Sequence, residues 1–287
     1  MQHDISLHVE PVPFLVHRLA ESGLGSVNTW VVETGDGLIT LDGQRSLSLG
    51  RKVADAIRGL GKPLAAVVLT HPHPDHVGGL AVITALAPDA PLIALRRTAE
   101  IMASDEQGYF AMSREQLGDD FAVVLPAPSR IVADGDTLDL LGLTLRFSEF
   151  RDVEAPCMLV TEVVGSGAVF VADMVEHGMT AFLLEGRPEG WLAGLDALEQ
   201  RLIEPATAYP GHGPAGEART LIVAQRHYLQ RTLDLVRQDP ERTVAALRRE
   251  FPGFVPVAAI PDLLEKNVAT LQARSSSSTA VGSAIGG

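Results

Sequence analysis

A chain of 287 residues, 46% of them hydrophobic, is long enough for one large core or for one domain with an appendage. Its 36 acidic residues against 23 basic ones give a formal net charge of −13, which repels nucleic acid and anionic membranes at long range and argues against both as partners. One cysteine, Cys157, excludes an internal disulfide, and no apolar stretch approaches the ~20 residues that span a bilayer.

The start, MQHDISLHVEPVP, has neither a basic end nor an apolar run, so no signal peptide is expected and the chain reads as soluble and cytoplasmic. Residues 29–33 and 37–42 are short β-rich runs separated by Thr34-Gly35-Asp36-Gly37, the pattern of a hairpin. Apolar positions 49, 53, 57 and 60 recur at helical spacing, and Gly61-Lys62-Pro63 ends that helix. LAAVVLT, 64–70, is a continuous apolar run, as expected of a strand buried on both faces. A helix from about Val77 to Ala87 and a strand over 91–95 follow, giving a β-α-β-α-β order and an α/β class. Residues 97–130 mix Met102, Tyr109, Phe110, Met112 and Phe121 with charges and read as helices and loop, either a lid or plain packing. From 131 four β-runs return, ending in AVFVAD. A helix at about 191–202, the short strand ATAY, a long helix opened by Gly211-His212-Gly213-Pro214 and running through Gln238, a helix capped by Asp239-Pro240, and a last helix at about 261–273 complete the chain. The serine-rich tail is low in complexity and reads as disordered.

The chemistry concentrates in THPHPDHVGG, residues 70–79, directly after the buried run. His71 and His73 are two apart and project to one side of an extended segment. Asp75 and His76 are adjacent, and a turn beginning there aims them at a second point. Four potential metal ligands in six positions therefore suit two ions side by side, with imidazole and carboxylate donors fitting zinc, manganese or iron. Ligands must also come from elsewhere in the chain. Asp173 ends a buried strand, where an aspartate is costly unless paired, and His212 stands between two glycines just after another.

THPHPDHVGG resembles the H-x-H-x-D-H-x-G-G signature of the metallo-β-lactamase superfamily. Asp173 in VFVAD is similar to that family's bridging aspartate, His212 in PGHGP to its last metal-ligating histidine, and Asp42 in LITLDG to a strand-end aspartate that supports the metal loop. The likeness runs from about Asn28 to Gly213. It implies an αββα sandwich, a single domain with a C-terminal helical extension. The corresponding division is a core over 1–213, capping helices over 214–273 and a disordered tail over 274–287.

One feature departs from the family. The usual third histidine of the first metal is absent, since no histidine lies between His76 and Asp173. The segment there contains Glu154-Ala155-Pro156, similar to the E-A-P turn of the alkylsulfatase branch, where a glutamate binds metal. Glu154 is therefore the expected third ligand, with Asp152 and Glu149 as competitors.

The resemblance implies two divalent ions, zinc first and manganese or iron as alternatives, that activate a bridging water, with Asp75 and His76 acting in catalysis. The expected activity is hydrolysis of a small ester, lactone, amide or sulfate ester. An iron redox enzyme on the same fold and a non-catalytic metal-binding scaffold are the alternatives. Cys157 sits in an apolar run and reads as packing. His177, Met179, Phe182, Arg187 and Tyr109 are candidates for the pocket, with Arg187 either holding a substrate carboxylate or pairing with a nearby glutamate. A small-molecule substrate is the expected partner, and homo-oligomerisation stays open.

Overall fold

The computed structural model describes residues 1–9, 12–22 and 25–284, with side chains to residue 274. Among the described residues, thirteen strands form two sheets. The first takes seven in chain order: β1 (Gln2–His8), β2 (Phe14–Ala20), β3 (Asn28–Glu33), β4 (Leu38–Leu41), β5 (Leu64–Val68), β6 (Leu92–Leu95) and β7 (Arg130–Val132). Neighbours from β1 to β4 are antiparallel, and those from β4 to β7 are parallel. The second sheet holds β8 (Thr137–Leu140), β9 (Leu143–Arg151), β10 (Cys157–Val163), β11 (Ala168–Ala172), β12 (Thr207–Pro210) and β13 (Gly216–Glu217), again adjacent in chain order. Only β11 and β12 pair in parallel there.

The helices are α1 (Leu47–Gly59), α2 (Pro74–Val77), α3 (Leu80–Thr84), α4 (Arg96–Ser104), α5 (Tyr109–Leu117), α6 (Pro188–Arg201), α7 (Ala218–Gln238), α8 (Thr243–Glu250) and α9 (Leu263–Ala284). Three apolar cores follow from strand alternation. Trp30, Val32, Ile39 and Val68 point inward and meet Phe147, Leu159 and Phe170 of the other sheet. Val31, Leu38 and Val67 point the other way and bury Val53, Ile57 and Ile83 of α1 and α3. Met158, Val160 and Val171 on the far face of the second sheet are covered by Trp191, Leu195, Ile222, Leu229 and Val268 of α6, α7 and α9. Helix, sheet, sheet, helix is the layering, as one domain with C-terminal helices. Cys157 is fully buried between the sheets, and burial pushes its thiol up to about 11.

Several expectations need correction. The β1–β2 hairpin precedes the first strand read from sequence; β1 is a half-covered edge strand, so its apolar positions Ile5 and Leu7 stay exposed and give a weak signal. The helix expected over 77–87 is broken at Gly78-Gly79. A Cβ on Gly78 would meet the Arg45 carbonyl at 2.0 Å, and one on Gly79 the Gly43 carbonyl at 2.0 Å, so the glycines let this turn lie flat on the 43–46 segment. The long helix starts at Ala218, where the Glu217 side chain accepts from the Arg219 and Thr220 amides. The next starts at Thr243, because Asp239 still closes α7 by bonding Leu235. The last helix continues to Ala284, since adding residues to an existing helix gains one hydrogen bond each; most of the serine-rich stretch is thus helical, and 285–287 lie outside the described residues. Among the described residues, no helix is long and apolar enough to cross a membrane.

Candidate metal centre

The parallel pairs β4–β5 and β11–β12 end at the same edge of the sandwich. Asp42 follows β4, His71 follows β5, Asp173 follows β11 and His212 follows β12. Two bonds tie the sheets together at that edge: the Leu159 amide of β10 donates to the Thr70 carbonyl at 2.8 Å, and the Asn28 amide donates to Gly211 at 2.7 Å. Asn28 Nδ2 and Trp30 Nε1 also donate to the carbonyl of Pro210, both at 2.8 Å, which fixes the loop carrying His212.

Asp42 organises the metal loop. Its backbone is left-handed, at φ 64°, a conformation that aspartate tolerates. Its carboxylate accepts from the Thr70 amide at 2.9 Å, from the Thr70 hydroxyl at 2.8 Å and from His76 Nδ1 at 2.8 Å. Thr70 Oγ1 lies 2.9 Å from His71 Nδ1 and accepts from it, because its own proton goes to Asp42. These partners assign both tautomers and turn Nε2 of His71 and of His76 inward. His73 is held the opposite way round. Its Nε2 donates to Glu185 at 3.0 Å, so Nδ1 faces the centre. Gln107 donates to the same Glu185 oxygen at 2.7 Å.

The inward atoms form two sets. His71 Nε2 and His73 Nδ1 lie 3.7 and 3.1 Å from the two oxygens of Glu154. Asp75, His76 and His212 make the second set, with His212 Nε2 at 3.3 Å from Asp75 Oδ2. Asp173 Oδ2 stands between the sets, 3.7 Å from His71, 3.3 Å from His76 and 3.5 Å from His212. All these residues but Asp75 are buried. Nε2 of His71, His76 and His212, one oxygen of Glu154 and one of Asp173 have no hydrogen-bond partner. Buried polar atoms left without partners are costly. Their convergence, and the match of imidazole and carboxylate donors, fits divalent cations.

The electrostatics agree. Burial depresses His71 well below its ordinary value, and the neighbouring His76 adds to this. Burial opposes a charged His73, yet Glu154 and Glu185 outweigh it and raise the ring to about 10. Burial lifts Glu154 to about 7 despite His73. Burial would raise Asp173 and Asp75 too, but the surrounding histidines hold both below the usual carboxylate range.

The competitors of Glu154 lie elsewhere. Asp152 is exposed and sits 3.5 Å from Arg187, and Glu149 binds Arg151 at 2.6 Å. Of the pocket candidates, Tyr109 and Phe182 line the cavity above the ligands. Arg187 is taken up by Glu185 and Asp152, so it steadies the carboxylate behind His73 rather than facing a substrate. His177 points away: its Nδ1 donates to the Pro214 carbonyl at 2.9 Å and its amide to His212 at 3.1 Å, bracing the histidine loop. Met179 is buried beside Val255, outside the cavity wall. Glu185 and the cavity-lining Glu176 and Arg45 were not singled out for the site from the sequence. Glu176 is buried, one of its oxygens lacks a partner, and burial together with Asp173 raises it well above its ordinary value. The cavity, ≈ 110 Å³, has the metal-ligand residues at its floor and α5 and residues 257–260 among its walls.

The family model of the metallo-β-lactamase superfamily matches residues 22–212. With its sandwich and its clustered His/Asp/Glu donors, this chain belongs to the metallo-β-lactamase superfamily. Among solved structures it is similar to a β-lactamase domain protein from Burkholderia ambifaria, at 20% identity and TM-score 0.65, over 94% of this chain and 88% of that one. It is also similar to a metallo-β-lactamase from Pontibacter korlensis, at 17% identity and TM-score 0.61, over 79% and 99% of the two chains. The DIM-1 metallo-β-lactamase aligns at 16% identity and TM-score 0.58, over 79% and 97%. No curated protein sequence matches the chain. At such identities the structural likeness speaks to the fold alone.

Proposed function

We propose that this protein is a dinuclear metal-dependent hydrolase acting on a small ester, lactone, amide or sulfate ester. The observation that carries the reading is the pair of donor sets with Asp173 between them, buried but for Asp75, with Nε2 of His71, His76 and His212 left unpartnered. His71, His73, Glu154 and Asp173 would hold one ion, and Asp75, His76, His212 and Asp173 the other. When bound, such ions supply Lewis acidity and make water nucleophilic near neutral pH.

The chain's own residues do the rest. Asp75, whose side chain is 25% exposed while those of the other donors are at most 7%, reaches the cavity and orients an attacking water by accepting its hydrogen bond. Asp42, Thr70 and Glu185 hold the histidine rings so that no reorganisation is needed when charge develops. Tyr109, Phe182, Leu184 and Ile260 shield the floor from bulk water. A carboxylate where imidazole is usual favours harder ions, so manganese and iron join zinc as candidates.

The test is a panel of chromogenic esters, lactones, cephalosporins and aryl sulfates, assayed on protein loaded with zinc, manganese or iron. Turnover of at least one class, lost on chelation and in Asp75→Asn, is expected. Fully loaded protein that hydrolyses none of them, or that instead consumes oxygen with a reductant, would overturn the reading.

A further inference from the structure

Arg45 is the one lysine or arginine that lines the cavity among the described residues. It is half-buried, and among the described residues neither an ion pair nor a hydrogen bond engages its guanidinium, although most arginines of this acidic chain are paired. A fork of donors on a cavity wall that no carboxylate engages is a ready anion receptor.

Its backbone is fixed to the metal loop. The Gly43 amide donates to the His76 carbonyl at 2.7 Å, and the Gly79 amide donates to Gln44 at 2.9 Å. Gln44 Nε2 is itself anchored, donating to the carbonyls of Leu19 and Val27 and to Thr29 Oγ1. The backbone that carries Arg45 is thereby set against the metal loop, and its side chain lines the cavity. Beside the ligand residues, Glu176, Ser113 and Gln116, the wall offers Tyr109, Met112, Phe182, Leu184, Val257 and Ile260 as an apolar portion of the lining.

We propose that the substrates of this site are amphiphilic carboxylates, with Arg45 binding the carboxylate and the apolar wall taking the carbon chain. This rests on the hydrolase reading above and names its substrate class. Arg45 is a specificity-determining residue in that scheme, distant from the bond that breaks.

Two arms separate the two claims. In the kinetic arm, metal-loaded wild type, Arg45→Gln and Arg45→Lys act on mono-p-nitrophenyl adipate and on neutral p-nitrophenyl hexanoate. The ratio of kcat/KM for the charged ester to that for the neutral one should fall about 10–100-fold in Arg45→Gln and less in Arg45→Lys. An unchanged ratio would overturn the proposal. In the binding arm, calorimetry follows hexanoate and hexyl sulfate without any turnover. Wild type should bind hexanoate more tightly than hexyl sulfate, and Arg45→Gln should lose most of the hexanoate affinity. Hexanoate affinity retained in Arg45→Gln would place the carboxylate on the metals and defeat the proposal, and a preference for hexyl sulfate would defeat the carboxylate assignment. If neither these esters nor any class of the panel above is cleaved, the hydrolase reading fails while calorimetry still decides the role of Arg45.

Discussion

Replacing Glu154 by alanine removes a carboxylate that is 2% exposed and lies 3.1 Å from His73 and 3.7 Å from His71. A four-ligand zinc site binds with about 10–16 kcal/mol, so one ligand accounts for roughly 3 kcal/mol, more than about 100-fold in affinity. That is enough to empty one site during dialysis against a mild chelator. The fold should survive, because burial already raises Glu154 to about 7 and the metal-free protein gains little from its charge at neutral pH. The assay is metal content per chain by plasma mass spectrometry, with circular dichroism as the folding control. Loss of about one ion in Glu154→Ala is expected. Asp152→Ala and Glu149→Ala should retain both ions, since those carboxylates pair with Arg187 and Arg151 outside the donor sets. Unchanged stoichiometry in Glu154→Ala would refute the assignment, and an emptied site in Asp152→Ala would move the ligand within the turn.

Other expectations follow from the same geometry. Asp42→Ala frees Thr70 and the His76 ring and should lower metal affinity about 10–100-fold in chelator competition; unaltered affinity would reduce Asp42 to a turn residue. In Gly211→Ala the added Cβ would lie 1.8 Å from Asp173 Oδ1, so both ions should be lost from a folded protein, and a full metal load would contradict the packing described. Metal binding must displace the His73 proton, so apparent affinity should rise with pH, about tenfold per unit for each proton released, towards the value of about 10 that its carboxylate neighbours impose. The same shift gives the sign for metal-free stability. His73 binds its proton more tightly folded than unfolded, so its contribution is complete below the ordinary 6.5 and is lost as pH rises through about 10. Melting temperatures of metal-free protein across that window read it, and a rise with pH would contradict the His73 environment.

Much of the site was legible because its residues are chemically conspicuous. A histidine and aspartate cluster at the end of the apolar run 64–70 has few uses other than metal, and Asp173 and His212 each end a buried strand. The place of Glu154 was legible only through an absent histidine and the E-A-P turn that stands where it would be. What escaped depends on three-dimensional neighbours. Glu185 lies 112 residues from His73, and nothing local marks it as the acceptor that turns that ring. Arg45 follows a strand-end turn that looks ordinary until the cavity above it is seen. The broken helix after His76 came from glycine contacts with the 43–46 backbone, which periodicity does not report. The β1 strand escaped because an edge strand whose apolar positions Ile5 and Leu7 face solvent lacks the burial contrast on which alternation depends.

The most direct measurement is a crystal structure of the metal-loaded protein with anomalous difference maps at the absorption edge of the bound ion. Two peaks about 3.5–4 Å apart are expected, one bounded by His71, His73 and Glu154, the other by Asp75, His76 and His212, with Asp173 between them. A single peak in fully loaded protein, or a first-site ion that Glu154 does not reach, would contradict the account.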